Sequence, residues 1–192
     1  MTTSQPKEDK SLPGDFAIWI FILAELAVFG LLFATYAVVR LNNLEIFAEW
    51  HAHLNRLAGF INTIALITSS YFVVLAVNAI KKGQHLHCTR WLLAAMVTAC
   101  IYLGVKGWEY SETISSGYDL STNSFYMFYY FLTFFHFAHV LLGLVILGAV
   151  AWNSYQQRYS IEDHYGVETG ASYWHMIDLV WIVLFPLVYV IH

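Results

Sequence analysis

The sequence predicts an all-α integral membrane protein built as a bundle of five transmembrane helices. Of its 192 residues, 59% are hydrophobic and 11% are charged, whereas a soluble domain carries about 25% charged residues. The apolar residues are also gathered into long stretches, and about 20 of them in a helix span the roughly 30 Å hydrocarbon layer of a membrane. Five such stretches are present, at 16–39, 57–80, 91–110, 125–152 and 171–191.

The five stretches differ in the polar residues that they contain. The first has Glu25 as its only charge and the second has none, while the third contains Lys106 and Glu109. Pro186 predicts a kink in the fifth. The first stretch is longer than the 7 to 15 apolar residues of a signal-peptide core, so we expect it to remain as a helix.

No repeat or low-complexity tract divides the chain, which predicts a cytoplasmic N-terminal tail at 1–14 and a single membrane domain at 15–192. The longest connections, at 41–56 and 153–170, are equally compatible with short surface helices and with simple linkers. We place Cys88 in a loop and Cys100 about three turns into the third helix. The two would then be roughly 18 Å apart along that helix, too far for a disulfide.

The lysine and arginine residues outside the spans predict the orientation of the helices. Those on the N-terminal side are Lys7, Lys10, Lys81, Lys82, Arg90 and Arg158, whereas the opposite loops contain only Arg40 and Arg56. Basic residues are enriched on the cytoplasmic side of membrane proteins. The N-terminus is therefore predicted inside and the C-terminus outside.

Ionisable residues within the spans are the most informative, because each costs roughly 2.5 to 3.5 kcal/mol at the membrane centre on the insertion scale. Glu25 lies about 15 Å into the first span, counted by helical rise. His136 and His139 are three residues apart on one face of the fourth span and lie at a similar depth. We predict that the Glu25 carboxyl group contacts either His136 or His139, and that the face of the first helix carrying Glu25 packs against the bundle. By helical spacing, that face also carries Phe21, Leu32 and Tyr36.

Two further pairs have helical spacing. His175 and Asp178 can pair with each other or reach a neighbouring helix. Lys106 and Glu109 lie near the outer end of the third span, where we interpret them as an interfacial charge pair that reaches the headgroups.

The polar residues of the membrane leave several functions open. Glu25 and the histidines can form a packing network or serve a transport or proton role. A membrane cytochrome is disfavoured, since His136 and His139 share one helix and His175 lies nearer the inner surface. The same depths disfavour a histidine metal site. A transporter is disfavoured by the lack of paired, interrupted helices.

Four motifs in order resemble subunit III of the haem-copper oxidases, in its short five-helix form. They read W-I-F-I-L-A-E-L-A-V-F around Glu25, K-G-W-E-Y at 106–110, F-F-H-F-A-H-V-L-L-G at 134–143 and Y-W-H-M-I-D-L-V-W at 173–181. The resemblance covers the chain from Gly14 onward. It implies that Glu25 matches the family's carbodiimide-reactive carboxylate, with His136 or His139 as its partner.

The resemblance also implies a supporting subunit that carries no cofactor of its own. Haem, with copper or iron, would lie in a catalytic subunit I-type partner, and bound phospholipid would fill a cleft between the first two helices and the others. The expected location is the bacterial inner membrane, with no nucleic-acid partner. Within the family, L-P-G-D-F at 12–16 and I-N-T-I-A-L-I-T-S-S at 61–70 look most like the NorE-type accessory protein of nitric oxide reductase clusters. Quinol oxidase and cytochrome c oxidase subunits share the same plan.

Overall fold

The described part of the chain, residues 16–51 and 53–191 of a computed structural model, is helical with no strand. Its helices are α1 (Phe16–Asn42), α2 (Leu44–His51), α3 (Arg56–Ile80), α4 (His85–Ser115), α5 (Ser124–Tyr155) and α6 (Tyr165–Phe185), followed by a π-helical segment (Pro186–Val190). The predicted tail at 1–14 and the C-terminal His192 lie outside these residues. Five of the helices are long and apolar enough to cross a membrane, which confirms the predicted fold class.

The helices extend beyond the apolar stretches that predict them. The largest difference is in α4, which begins at His85 and ends at Ser115, because a helix continues into the headgroup region where polar side chains meet water. The prediction that Cys88 lies in a loop is therefore wrong. Cys88 is fully buried in the first turns of α4, and both cysteines are free thiols.

One of the two long connections contains structure of its own. The short helix α2 lies within 41–56, and its Phe47 is buried between α1 and α5, with its ring 5.5 Å from those of Tyr36 and Phe125. The other connection is reduced to 156–164, since α5 ends at Tyr155 and α6 begins at Tyr165.

The tightest packing joins α3 to α4. Gly83, with a φ of +70°, ends the turn between them, and the amides of Gly83 and Gln84 close the last turn of α3. So short a turn makes the two helices antiparallel neighbours. Helix α5 packs against α4 and α6, and α6 packs against α3. The buried face of α3 repeats every three or four residues, through Gly59, Asn62, Leu66, Ser69 and Val73.

Helix α1 is attached more loosely, against α5 and α6. Its buried residues are Ile22, Phe29 and Tyr36, a narrow seam with a period of seven. Of the residues predicted on the packed face of α1, Tyr36 is buried, whereas Phe21 is 40% exposed because it lies beside the seam. The expected division between the first two spans and the rest is wrong, since the second span, α3, packs along α4 and α6.

Candidate functional site

The first polar site joins α1 to α5. His139 Nε2 lies 3.1 Å from Glu25 Oε2, and His139 Nδ1 lies 2.7 Å from the carbonyl oxygen of Phe135, one turn back on α5. A carbonyl oxygen only accepts, so Nδ1 must be the protonated nitrogen that donates to it. The remaining contact then has two forms: a neutral carboxyl group donates to Nε2, or an imidazolium donates to a carboxylate. In either form one proton lies between Glu25 and His139.

The Glu25–His139 pair lies at the edge of the bundle. The side chains of Glu25 and His139 are 21% and 12% exposed. Phe29 and Phe135 cover the imidazole, with ring centroids 5.2 and 4.7 Å away. Of the two histidines that the sequence offers as partners, the structure places His139 against Glu25. The functional role of the Glu25–His139 pair stays a prediction.

His136 points into the centre of the bundle instead, since a spacing of three residues rotates it by about 60° from His139. It is fully buried, with its ring 5.1 Å from that of Trp181 and 5.7 Å from that of Tyr102. Trp181 donates to the Thr63 hydroxyl, at 3.0 Å. Neither ring nitrogen of His136 has a hydrogen-bond partner among the described residues.

The second polar site corrects the interpretation of Lys106 and Glu109. Their salt bridge is present at 3.1 Å, but the side chains are 0% and 3% exposed, so the pair is enclosed by the protein. Helix α4 turns this face towards α5 and the π-helical segment, whose tyrosines cover it. The prediction that these side chains snorkel outwards is therefore wrong, whereas their interfacial depth stays a prediction.

Tyr129 and Tyr189 complete this cluster. Both hydroxyls donate to Glu109 Oε1, at 2.8 Å each, while Oε2 accepts from Lys106. The Lys106 ammonium also donates to the hydroxyls of Tyr129 and Tyr189. It lies 4.6 to 5.2 Å from the ring centroids of these tyrosines and of Tyr110. A buried ion pair is stable only when further hydrogen bonds satisfy both ions, as they do here.

The third predicted pair, His175 and Asp178, reaches a neighbouring helix. The Ser70 hydroxyl of α3 lies within hydrogen-bond distance of His175 Nδ1. Asp178 is 5% exposed, and neither of its carboxyl oxygens has a hydrogen-bond partner among the described residues. No hydrogen bond or ion pair links His175 to Asp178 themselves among the described contacts.

The most important residues that sequence reasoning missed are tyrosines. Tyr102 and Tyr129 each carry a hydroxyl inside an apolar stretch, and Tyr102 lies one turn from Lys106 on the same face of α4. That spacing could have indicated that Lys106 and Glu109 lie inside the bundle. Tyr189 also lies inside an apolar stretch, but nothing near it in the sequence identifies its partner Lys106, which lies 83 residues away.

Two concave spaces adjoin these sites. A polar pocket of about 370 Å³ lies where α4 ends, between the start of α3 and α5, and its lining includes His53, Glu109, Glu112, Ser116 and Tyr126. An apolar groove of about 310 Å³ opens between α1 and α6, lined by Ile22, Leu26 and Met176 among others. No group of three or more His, Cys, Asp or Glu side chains within the described ranges is placed to hold a metal ion.

Comparison with known proteins decides the family. The family model described as cytochrome c oxidase subunit III matches residues 12–192, nearly the whole chain. The chain belongs to the cytochrome c oxidase subunit III family. The polar residues of α1, α4, α5 and α6 described above are thus those of a subunit III protein.

Individual relatives agree with this assignment. The cytochrome c oxidase subunit 3 of Synechocystis sp. is 36% identical over 181 residues, covering 92% of this chain and 75% of the relative. That of Thermostichus vulcanus is 32% identical over 176 residues, covering 90% and 84%. A heme-copper oxidase subunit I+III of Aeropyrum pernix is 29% identical over 91% of this chain and 22% of its own length. The name of that relative combines subunits I and III.

Proposed function

We propose that this protein is a non-redox membrane subunit of a haem-copper oxidase complex, where it binds a subunit I-type chain and supports its assembly and stability. The observation that carries the proposal is the match to the subunit III family over residues 12–192. Haem, with copper or iron, belongs in the partner chain under this proposal. The Aeropyrum pernix relative supports the partnership, because its name joins subunits I and III.

The polar sites of the chain support a structural role. The Lys106–Glu109 cluster holds α4, α5 and the π-helical segment together, and the Glu25–His139 pair fastens α1 to α5. Contacts of this kind maintain a bundle that a larger partner can bind. They do not by themselves require redox chemistry.

The proposal is tested by purifying the tagged chain from its own membranes in a gentle detergent. We expect mass spectrometry to find a subunit I-type chain, and the optical spectrum of the complex to show haem. After separation, the haem should stay with the partner. A b-type spectrum from the separated chain, or purification without any oxidase subunit, would contradict the proposal.

The complex itself has two candidates, an oxygen-reducing oxidase and a nitric oxide reductase. The L-P-G-D-F and I-N-T-I-A-L-I-T-S-S motifs favour a NorE-type accessory role in nitric oxide reduction, and residues 12–15 of the first lie outside the described part of the chain. The names of the relatives favour an oxygen-reducing oxidase. The identity of the co-purifying catalytic chain, and loss of oxygen or nitric oxide consumption after gene deletion, distinguish the two.

We also propose that the N-terminus faces the cytoplasm of a bacterial inner membrane, from the distribution of Lys81, Lys82 and Arg158 on one side. Cys88 is buried and cannot report on this. In a variant lacking both native cysteines, Gln84→Cys should react with a membrane-impermeant maleimide only in inverted vesicles. Leu120→Cys, in the opposite loop, should react only in intact spheroplasts, and the reverse pattern would invert the topology.

Bound phospholipid is a further part of the proposal. The supporting feature is the apolar groove between α1 and α6, whose lining extends from Trp19 to Leu26 on α1 and from Ser172 to Leu179 on α6. Native mass spectrometry should detect retained phospholipid, and Met176→Trp, which narrows the groove, should reduce it. Leu142→Trp, on an exposed face of α5, is the control.

A further inference from the structure

The polar pocket of about 370 Å³ lies at the end of the bundle where α4 ends, and three parts of the chain form its walls. The turn into α3, the last turns of α4, and the turn and first helical residues leading into α5 contribute, in that order, His53, Leu54 and Asn55, then Glu109, Glu112, Thr113 and Ser116, then Tyr118 and Tyr126. Cavities of roughly 300 to 1,000 Å³ with a few convergent polar groups are the usual sites for small ligands. The chemistry of these walls therefore indicates what the pocket can hold.

The hydroxyl groups that α4 contributes have already used their hydrogens. The Thr113 hydroxyl donates to the carbonyl oxygen of Glu109 at 2.8 Å, and the Ser116 hydroxyl donates to that of Glu112 at 2.9 Å. A hydroxyl group has one hydrogen, so the remaining lone pairs of both oxygens can only accept.

The two carboxylates in the wall are acceptors as well. Glu109 Oε2 accepts from Lys106, which balances the charge of Glu109, and this oxygen keeps a further lone pair. Glu112 is exposed, and its carboxylate takes part in no hydrogen bond or ion pair among the described contacts. Glu112 therefore gives the pocket a negative charge that no described side chain balances.

The turn into α3 adds another acceptor and a donor. His53 Nδ1 lies 3.2 Å from the carbonyl oxygen of Glu49, so Nδ1 carries the proton, and Nε2 of the neutral ring accepts. Asn55 Oδ1 accepts from the amide of Ala58, which leaves the side-chain N–H groups of Asn55 as donors. Acceptors from α4 and His53 thus predominate over the N–H donors of Asn55.

The remaining wall is aromatic. The rings of Tyr118 and Tyr126 are stacked, with centroids 5.2 Å apart and planes at 7°. Aromatic faces attract ammonium and guanidinium groups. A ligand with several N–H donors and a positive charge therefore matches the carboxylates, the spare lone pairs and the aromatic rings of the pocket.

We propose that this pocket binds an organic cation through an ammonium or guanidinium group, with Glu112 as the counter-ion. A lysine or arginine side chain of a partner subunit and a free amine share this chemistry. Binding of the cation is independent of the proposed supporting role, whereas a partner subunit as its source rests on that role.

The first test measures binding of n-butylguanidinium to the full chain, purified in a non-ionic detergent, by saturation-transfer difference NMR at constant ionic strength. We expect saturable binding that n-butylurea, an uncharged molecule of similar shape, does not displace. Glu112→Gln should weaken binding at least about tenfold, because a charge-assisted hydrogen bond is lost. Glu45→Gln is the matched control and should bind as the native chain does, since Glu45 is exposed on α2 and does not line the pocket.

Three results of this test would overturn the proposal. They are the lack of saturable binding, equal displacement by n-butylurea, and the same affinity in Glu112→Gln as in the native chain. None of them depends on finding a partner subunit, so the proposed function is tested separately.

The second test identifies the source of the cation, with the complex purified from its own membranes. If a partner side chain fills the pocket, the separated chain should bind n-butylguanidinium and the complex should not. Glu112→Gln should then also recover less partner than Glu45→Gln. If the ligand is a free amine, the complex and the separated chain should bind n-butylguanidinium alike.

Discussion

The Lys106–Glu109 cluster and the Glu25–His139 pair use the same chemistry, an acid beside a base, in two different settings. The cluster is fully enclosed, and tyrosines from α5 and the π-helical segment satisfy its oxygens. The pair lies at the edge, where α1 meets the bundle through a narrow seam, and the carboxyl group is 21% exposed. The comparison indicates that the enclosure of a charged side chain depends on how many helices surround it. It also indicates that α1 can tolerate more change than the core formed by α3, α4, α5 and α6.

The largest effect is expected from breaking the enclosed cluster. Lys106→Met leaves the Glu109 carboxylate buried without its counter-ion, and this should lower the free energy of unfolding by about 3 to 5 kcal/mol. The measurement is unfolding of the purified chain in mixed micelles. The double variant Lys106→Met/Glu109→Gln should recover more than half of the loss, since no charge remains. Equal stability of the single variant and the native chain would show that the pair is not desolvated.

A comparison of two glycines separates the core from α1. A Cβ atom at Gly59 would lie 2.7 Å from Phe185 and 3.1 Å from Tyr189, whereas one at Gly30, on α1, would meet nothing within 4 Å. Gly59→Ala should therefore cost about 1 to 3 kcal/mol through overpacking. Gly30→Ala should leave the unfolding midpoint unchanged or raise it slightly. A similar loss in both variants would mean that α1 packs more tightly than its contacts indicate.

The Glu25–His139 pair should be less sensitive. Glu25→Ala leaves His139 Nε2 without its partner, with an expected cost of about 1 kcal/mol, at the low end for a lost buried hydrogen bond because the site is partly exposed. Glu25→Gln should keep most of the stability, as an amide retains one hydrogen bond and needs no compensating charge. The same unfolding assay compares the two variants with His139→Ala. Additive losses in a Glu25→Ala/His139→Ala double variant would show that the contact contributes nothing.

The smallest effect is expected at an exposed carboxylate. Hydrogen bonds from Ser121 and Thr122 lower the pKa of Asp119 below its usual 3.8, so the folded form binds a proton less readily than the unfolded chain. Any stability from Asp119 is present above pH 3.8 and is lost as the pH falls through the lower folded pKa. Asp119→Asn should therefore leave unfolding unchanged between about pH 5 and 8, apart from a small constant offset. A pH-dependent difference in that range would assign Asp119 a partner that its exposure does not indicate.

Sequence reasoning succeeded where the signal was local and failed where it depended on distant neighbours. The five spans follow from apolar length, and depth counting brought Glu25 near His139 because both lie mid-span. The same counting placed Lys106 and Glu109 at the headgroups, since it stopped α4 at 110. The helix continues to Ser115, and Tyr189 covers the pair from 83 residues away. Depth along one helix cannot show which other helices surround a residue.

The π-helical segment at Pro186–Val190 determines where Tyr189 points. The amide of Ile191 bonds to the carbonyl of Pro186, five residues back, so the chain holds one residue more in that turn than an α-helix does. One residue corresponds to about 100° of rotation around the axis. The extra residue changes the helical register. Before it, Trp181 and Leu184 face the core in α-helical register, and after it the Tyr189 phenol faces Lys106. The direction of the Tyr189 hydroxyl thus depends on the number of residues in this turn. Deleting one residue here would turn the hydroxyl towards another face while leaving every side chain of the cluster in the sequence.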